Sequence, residues 1–198
     1  MSDKMLHLAV TQGDPAGVGP EIILRMFAEG GFEAGTRPFV VGIRSHFEQV
    51  LEVMRTTCEI PLLEHMQTQV FDRPPEEYGP NTLPIIEPAA ANIPENIVAG
   101  EISGQCGATA WACIRHGVEM VRHGQAAGIV TAPIHKEALK AAGCPFPGHT
   151  EMLADMAGGA EMAMLLAGGG LRVALATIHE PISRVPYLLG EAKLIRLI

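Results

Sequence analysis

The sequence predicts an α/β fold, on the evidence of two segments and the overall composition. Residues 5–11 have the pattern of a buried strand, residues 12–20 form a glycine-rich loop, and residues 21–28 have the apolar periodicity of a helix. Residues 126–130 have the pattern of another buried strand, which Pro133 ends because proline cannot donate to a sheet ladder. The chain has 198 residues, 47% of them hydrophobic, which suffices for one α/β domain or parts of two.

The other elements are predicted from periodicity and turn residues. Further strands are expected at residues 38–43, 69–72, 83–87, 162–167 and 171–177, the last two joined by a hairpin turn at Gly168-Gly169-Gly170. Further helices are expected at residues 46–55 (with Ser45 as N-cap), 105–123, 137–142 and 191–198. The prolines between residues 58 and 98 predict connections and edge strands in that region.

The charge and the polar residues limit the class of protein. A formal net charge of −8 without a basic run disfavours binding to nucleic acid or to an anionic membrane. No apolar run is long enough to span a bilayer, and the start of the chain lacks a signal-peptide pattern. The four cysteines have no metal-type spacing and are interpreted as reduced. We therefore expect a soluble, cytoplasmic protein.

The strongest candidate site combines Thr131–Lys136 with Gly148–Glu151. The first segment follows a predicted strand, and open α/β folds bind ligands at the carboxyl ends of strands. Taken singly, Lys136 is typical of a solvated surface, His149 of a partly buried hydrogen-bonded histidine and Thr150 of a helix N-cap. Taken together, the two segments favour a site for one small anionic ligand.

The glycine-rich loop is a second candidate. A strand, a glycine loop and a helix N-terminus together offer backbone N–H groups to an anion. The positions of Gly13, Gly17 and Gly19 match neither the dinucleotide-binding fingerprint nor the P-loop. An ordinary structural turn is the alternative, although three glycines in so short a span favour a functional role.

Two features near the end of the chain bear on function. His179 follows a predicted strand and is a plausible metal ligand, but a metal site needs three or four ligands, so the residues alone disfavour that interpretation. The helix at residues 191–198 is short, apolar and has no C-cap glycine. We expect either that the chain is cut short or that a partner covers this end.

Four motifs give the sequence a specific resemblance. Residues 10–21 (VTQGDPAGVGPE), 130–136 (VTAPIHK), 147–151 (PGHTE) and 176–181 (ATIHEP) resemble the 4-hydroxythreonine-4-phosphate dehydrogenase family, which includes phospho-threonate and phospho-erythronate relatives. The first motif is also similar to the opening of the isopropylmalate and isocitrate dehydrogenases. The resemblance implies an isocitrate/isopropylmalate dehydrogenase-like fold of two α/β/α lobes with the active site between them, here incomplete at the C-terminus, with a lobe boundary near residues 126–136.

The resemblance also implies an activity. NAD or NADP would oxidise 4-phosphohydroxy-L-threonine to a 3-keto acid, which decarboxylates to 3-amino-2-oxopropyl phosphate in pyridoxal 5'-phosphate biosynthesis. His149 and Thr150 would bind substrate, and His179 would be the first of three histidines that hold a divalent metal (Zn, Mg or Co) in a homodimer with a shared active site. No family motif assigns Lys136, which we expect to assist proton transfer or bind an anionic group. Cofactor-binding residues are not predicted.

The family's chains are longer, so residues 1–198 would be the N-terminal part of such an enzyme and inactive alone. Two alternatives remain open. One is a dehydrogenase of the same family that acts on 4-phospho-D-threonate or 4-phospho-erythronate. The other is a non-catalytic binding or dimerisation module that keeps the anion-binding loops.

Overall fold

The computed structural model describes residues 5–91, 94, 96–159 and 162–197. The chain forms two compact units, Met1–Met156 and Ala157–Ile198. The first unit is a parallel sheet with helices on both faces, and the second is a β-hairpin with two short helices. No helix among the described residues combines the length and apolarity that a membrane span requires.

The first unit contains a five-stranded sheet in the order β3-β4-β2-β1-β5, in which every neighbouring pair is parallel. The strands are β1 (Leu6–Thr11), β2 (Thr36–Val41), β3 (Gln67–Val70), β4 (Thr82–Ile86) and β5 (Gly128–Thr131). The helices are α1 (Gly19–Glu29), α2 (Arg44–Thr57), α3 (Gly104–Arg122), α4 (Lys136–Ala141) and α5 (His149–Met156), with a 3-10 turn at Pro61–Leu63. The predicted α/β class is thus confirmed as an α/β fold with a parallel sheet.

Alternate residues of the strands pack on opposite faces of the sheet, as the pleat requires. Val10 and Val40 belong to the apolar core that α1 and α2 cover. Their neighbours Ala9 and Phe39 belong to a separate core beneath α3. Because both faces are covered, the buried residues of β1, β2 and β4 are largely apolar and show no polar alternation, whereas the edge strand β3 (QTQV) is mostly polar and exposed.

The strand order changes direction at β1. From β1 the chain passes through α1 to β2, on one side of β1 in the sheet, and returns later as β5 on the other side. Helix α1 packs on one face, whereas α4 packs against α3 on the other face. The loops that follow β1 and β5 therefore lie at a topological switch point, where open α/β sheets bind ligands.

Most predicted elements agree with the structure, with two corrections. Ser45 is not the N-cap of α2: the cap position is Ile43, and Arg44 N–H at the first turn donates to the Glu87 carboxylate at 2.7 Å. Strand β4 is not an edge strand, since it lies between β3 and β2. Pro84 in β4 has no N–H to donate. It is tolerated because the recorded pairing of β2 with β4 involves only Ile85 and Ile86 and not Pro84 itself.

The second unit contains β6 (Met164–Gly168), β7 (Leu171–Leu175), α6 (Val185–Leu188) and α7 (Glu191–Leu197). The two strands are antiparallel, and Gly169 and Gly170 connect them with φ of 54° and 81°. Positive φ at both positions of a two-residue turn matches the twist of a hairpin and favours glycine. The predicted hairpin is confirmed. The helix predicted at residues 191–198 is confirmed up to Leu197, and Ile198 lies outside the described residues.

Candidate active site at the carboxyl edge of the sheet

The loops that follow β1 and β5 are hydrogen-bonded to each other. The Asp14 backbone N–H donates to the carbonyl oxygen of Pro133 at 2.9 Å. One residue closer to the strands, Ala132 N–H donates to the carbonyl oxygen of Thr11 at 3.3 Å. The two segments that the sequence marks as separate candidates are therefore parts of one structure at the switch point.

Two glycines, one in the first loop and one at the start of α1, permit close backbone approaches at this site. Gly13 has a φ of 76°, and a Cβ there would lie 2.5 Å from the carbonyl oxygen of Pro133. A Cβ at Gly19 would lie 2.6 Å from the carbonyl oxygen of Gln12. Both distances are shorter than real Cβ contacts, so packing alone requires glycine at these two positions. The expectation that this loop binds an anion stays a prediction.

The rest of the first loop is anchored from three sides. The Asp14 carboxylate accepts a hydrogen bond from Ala16 N–H at 2.9 Å, which forms a tight turn. The Nε2 atom of His46 lies 3.0 Å from the carbonyl oxygen of Pro15. Gly100 N–H donates to the carbonyl oxygen of Ala16 at 2.8 Å. The loop is thus held by α2 and by the segment before α3 as well as by β5.

His46 and Gln12 are the residues that sequence reasoning missed. His46 is buried, and this burial lowers the pKa of its imidazole, so the neutral form donates from Nε2. Gln12 is fully buried, and its Oε1 accepts from Ile43 N–H at 2.7 Å at the start of α2. For Gln12, the signal in the sequence was a polar residue directly after a buried strand. For His46, the sequence contains no such signal.

Helix α4 brings Lys136 to this edge of the sheet. His135 is the N-cap of α4, and its Nδ1 accepts from Ala138 N–H at 3.4 Å, so this imidazole has a structural role. Lys136 follows in the first turn and is exposed. The helix lies very close to α3, because a Cβ at Gly107 would be 2.1 Å from the carbonyl oxygen of Ala138. Gly107 therefore sets the position of α4.

The segment that begins α5 lies beside the Lys136 side chain. Gly148 is buried, and a Cβ there would lie 3.7 Å from Cε of Lys136 and 3.6 Å from Oε2 of Glu151. The structure thus brings together the two polar segments that the sequence marks, in one unit of the chain. Helix α5 begins at His149, so Thr150 lies in the first turn and is not its N-cap, which corrects that alternative interpretation.

His149 has the most informative environment of these residues. Its Nε2 atom is buried and has no hydrogen-bond partner, a property it shares among the described residues with five other side-chain atoms, including Thr11 Oγ1, Gln12 Nε2 and His46 Nδ1. Burial lowers the pKa of the imidazole, so it is neutral at pH 7. Buried polar atoms without partners are rare and costly, so the Nε2 atom requires an explanation such as a ligand or a water. Thr150, the next residue, is exposed.

His179 lies in the second unit, where it is exposed and has a φ of 57°. A positive φ is uncommon for a residue other than glycine, and histidine is one of the side chains that adopt it more often than most. Within the described ranges, no group of three or more His, Cys, Asp or Glu side chains is arranged to hold a metal ion. The donors present thus do not fit a complete metal centre, and the role of His179 as a ligand stays a prediction.

The fold and this geometry define a class: an α/β protein with polar side chains grouped at the switch point of a parallel sheet. The family model for "Pyridoxal phosphate biosynthetic protein PdxA" matches residues 34–198. The chain therefore belongs to the PdxA family. This result confirms the resemblance that the four motifs predict.

Individual relatives agree with this assignment. The chain is 35% identical to the 4-hydroxythreonine-4-phosphate dehydrogenase of Trichlorobacter lovleyi, over 100% of this chain and 57% of the relative. It is 34% identical to the D-threonate 4-phosphate dehydrogenase of Pectobacterium atrosepticum, over 87% of this chain and 50% of the relative. The crystal structure of 4-hydroxythreonine-4-phosphate dehydrogenase from Klebsiella pneumoniae superposes with a TM-score of 0.84 at 32% identity, covering 100% of this chain and 57% of that one.

The chain spans about half the length of the curated relatives it matches. Relatives of both names are dehydrogenases, which are oxidoreductases. Both names describe substrates that are small phosphorylated hydroxy acids. These properties belong to the whole relatives.

Proposed function

We propose that the protein is a dehydrogenase that oxidises 4-phosphohydroxy-L-threonine with NAD or NADP, in pyridoxal 5'-phosphate biosynthesis. The 3-keto acid formed would lose CO₂ to give 3-amino-2-oxopropyl phosphate. Membership of the PdxA family and the name of the Trichlorobacter lovleyi relative support this substrate. Since the chain spans about half of that relative, we expect residues 1–198 alone to be inactive.

The observation that carries the proposal is the environment of His149. A neutral imidazole with a buried, unpartnered Nε2 lies at the start of α5, directly after Gly148, which lies beside the Lys136 side chain. A hydroxyl or phosphate oxygen of a ligand would satisfy this ring nitrogen, which otherwise loses the hydrogen bond that water gives it in the unfolded chain. We therefore assign His149 and Thr150 to substrate binding.

The chemistry of the three side chains suits an anionic substrate. The ammonium group of Lys136 is exposed and attracts a phosphate or carboxylate group. In its deprotonated amine form the same Nζ is the candidate to accept the alcohol proton, and the ammonium group so formed returns that proton to the carbon that CO₂ leaves. The Thr150 hydroxyl both donates and accepts hydrogen bonds. In the oxidation, the alcohol carbon loses a hydride and the alcohol oxygen loses a proton. The β-keto carboxylate then releases CO₂.

The family implies two bound groups, a nicotinamide cofactor and a divalent metal, that would act together with these residues. A bound nicotinamide would accept the hydride. No residue of this chain is assigned to hold it. For the divalent metal, His179 is the proposed ligand within this chain, and the other donors described do not complete a site.

The proposal includes the organisation of the whole protein. We infer two α/β/α lobes of the isocitrate dehydrogenase type, a homodimer whose active site both subunits share, and a cytoplasmic location. Four ordered motifs support the two lobes and the shared homodimer site through the family resemblance. The lobe boundary near residues 126–136 is part of the same proposal.

A second substrate is favoured by a specific observation. The relative from Pectobacterium atrosepticum, named a D-threonate 4-phosphate dehydrogenase, is 34% identical to the chain, close to the 35% for the relative from Trichlorobacter lovleyi. The two substrates share a phosphate and a secondary alcohol, so Lys136, His149 and Thr150 suit both.

The experiment is an intact-mass measurement of the native protein together with a dehydrogenase assay. Both phosphorylated substrates are offered with NAD⁺ or NADP⁺ and with Mg²⁺, Zn²⁺ or Co²⁺. A native chain longer than 198 residues that reduces the nicotinamide supports the proposal. A native mass that matches 198 residues, with no turnover of either substrate, contradicts it and favours the non-catalytic binding module.

A further inference from the structure

The carboxylate of Glu151 lies beside the side chain of Lys136 in the candidate site. Both side chains approach one point next to Gly148, where a Cβ atom would lie 3.6 Å from Oε2 of Glu151 and 3.7 Å from Cε of Lys136. The ammonium nitrogen of Lys136 is one bond beyond Cε, and Gly148 places no side chain between the two groups. Rotation of these side chains can therefore bring the opposite charges together over Gly148.

Neither charged group is committed to another ion pair in the described part of the chain. The ion pairs recorded there join arginines to glutamates, and Lys136 and Glu151 take part in none of them. Both side chains are exposed, so they are free to rotate towards each other. The adjacent acid Glu137 is no substitute for Glu151, because consecutive residues of a helix do not face each other.

The charges of helices α4 and α5 are complementary. Helix α4 carries Lys136 and Lys140 one turn apart, and helix α5 carries Glu151 and Asp155 one turn apart. Like charges at this spacing repel each other, so a charge of the opposite sign nearby stabilises each helix. At the starts of the two helices, the approach over Gly148 supplies that opposite charge to Lys136 and to Glu151.

The proposed role of Lys136 requires that its nitrogen be held in place. The backbone of Lys136 is fixed, because His135 caps α4 and α4 lies close against α3 at Gly107. The flexible four-carbon stem of a lysine nevertheless leaves the nitrogen mobile. A group that transfers a proton must stay within hydrogen-bond reach of the reacting atom. Lys136 therefore needs a partner that restricts the rotation of its side chain.

We propose that Glu151 is the positioning residue for Lys136. Its carboxylate accepts a hydrogen bond from Nζ of Lys136 and holds that nitrogen over Gly148, next to His149 and Thr150. Glu151 thus acts through Lys136 and does not touch the reacting atoms. Its effect on turnover rests on the proposed function, whereas the ion pair itself does not. The contrasting role for Glu151 is that of a first-turn acid that interacts only with the dipole of α5.

The first test detects the ion pair without any turnover. A carbodiimide joins a lysine amine to a carboxylate as an amide only where the two groups meet, and peptide mass mapping locates the bond. In the native protein we expect a bond between Lys136 and Glu151, which should persist in Asp155→Asn and be absent from Glu151→Gln. A protein that forms such bonds at other lysines, but none between Lys136 and Glu151, overturns the proposal.

The second test measures kcat and KM of the complete enzyme. Glu151→Gln should lower kcat about 10-fold or more and change KM less than about 3-fold, because a mobile Lys136 impairs proton transfer more than binding. Glu151→Asp keeps the charge and should recover part of kcat. Asp155→Asn removes the same charge one turn further along α5, at an exposed position, and should leave kcat unchanged.

The two tests separate this inference from the proposed function. Turnover with kcat unaffected by Glu151→Gln supports the proposed function and overturns the positioning role. Equal losses of kcat in Glu151→Gln and Glu151→Asp also overturn it, since the carboxylate would then not be what matters. A bond between Lys136 and Glu151 in a protein that turns over neither phosphorylated substrate supports the ion pair and contradicts the proposed function.

Discussion

The backbone N–H of Asp14 donates a hydrogen bond to the carbonyl oxygen of Pro133 at 2.9 Å, and this contact joins the loops that follow β1 and β5. The contact needs glycine at the preceding residue. A Cβ on Gly13 would lie 2.5 Å from the same carbonyl oxygen. The backbone geometry of the candidate site therefore depends on the absence of a Cβ atom at residue 13.

Gly13→Ala should be strongly destabilising. It places a side chain at a φ of 76° and drives its Cβ against Pro133, so we expect a loss of about 2–4 kcal/mol in the free energy of unfolding, measured by urea denaturation. Gly35→Ala is the control, because Gly35 has a φ of 86° but no atom within 4 Å of its Cβ position. It should cost only about 1–2 kcal/mol. Equal losses for the two variants would contradict the role of the Pro133 contact.

The packing of α4 on α3 gives a second prediction. An Ala in place of Gly within an exposed helix normally stabilises by about 0.5–1 kcal/mol. Gly107→Ala should instead destabilise by about 1–3 kcal/mol, because its Cβ would lie 2.1 Å from the carbonyl oxygen of Ala138. Gly104→Ala is the matched comparison on the same helix, since its Cβ would lie 3.1 Å from Ala141, and its cost should be smaller.

The same variants test how Lys136 is positioned. If α4 moves away from α3, Lys136 should lose its place beside Gly148, and turnover by the complete enzyme should fall for Gly107→Ala more than for Gly104→Ala. A stabilised Gly107→Ala protein would mean that α4 does not lie against α3 as described.

These contacts mark the limit of what the sequence predicts. The β1–loop–α1 unit was predictable because its apolar periodicity and Pro20 are local signals, and the same holds for the hairpin with its glycines. The contact between Asp14 and Pro133 joins residues far apart in the chain, so no local pattern encodes it. The burial of His46 depends on where the loop at Pro15 packs, which only the folded chain determines.

The candidate site likewise has features that the sequence predicted and features that it did not. The sequence predicted that polar segments near Lys136 and His149 would come together, because both lie next to predicted strand or helix ends. It did not predict that His135 would cap α4 or that Nε2 of His149 would be buried without a partner. The position of α4 depends on its close approach to α3 at Gly107, and the position of α5 depends on the packing of Met152 in the core that includes Ile114 and Leu139.

His46 should make the stability of the first unit depend on pH. Burial lowers the pKa of its imidazole, and the nearby Pro15 carbonyl, Asp14 and Gln49 oppose that shift only in part. A folded-state pKa below the unfolded one means that the unfolded chain binds the proton first as the pH falls. The contribution of neutral His46 to the free energy of unfolding is therefore complete above the ordinary pKa of about 6.5 and is lost as the pH falls below it.

The measurement is the free energy of unfolding, from urea denaturation at several values between about pH 7.5 and about pH 5. His46→Gln keeps an N–H donor for the Pro15 carbonyl but cannot titrate, so its unfolding free energy should fall less steeply over this range. His65→Gln changes an exposed histidine and should leave the slope as it is in the parent chain. An unchanged slope in His46→Gln would contradict the prediction.

His149 provides the prediction that bears on activity. In the complete enzyme, His149→Ala should lower kcat/KM by about 10²-fold or more, because it removes a half-buried imidazole assigned to the substrate. His65→Ala, at an exposed position remote in sequence, should leave kcat/KM unchanged. Since burial lowers the pKa of His149, activity that needs its neutral form should persist below about pH 6.5 and decline only at lower pH. Full activity of His149→Ala would contradict the assigned role.

The four cysteines should react with a thiol reagent in an order set by burial. Cys58 is exposed, whereas Cys106, Cys113 and Cys144 are buried. Burial raises the pKa of Cys113 to about 12, so at about pH 8 its reactive thiolate is scarce as well as inaccessible. In native protein, a colorimetric disulfide reagent should modify one thiol rapidly, and Cys58→Ser should remove that fast phase. Cys113 should react only as fast as the first unit unfolds, with a rate that rises with added urea. Rapid modification of Cys113 in the native chain, located by peptide mass mapping, would show that the core between the sheet and α3 is open to solvent.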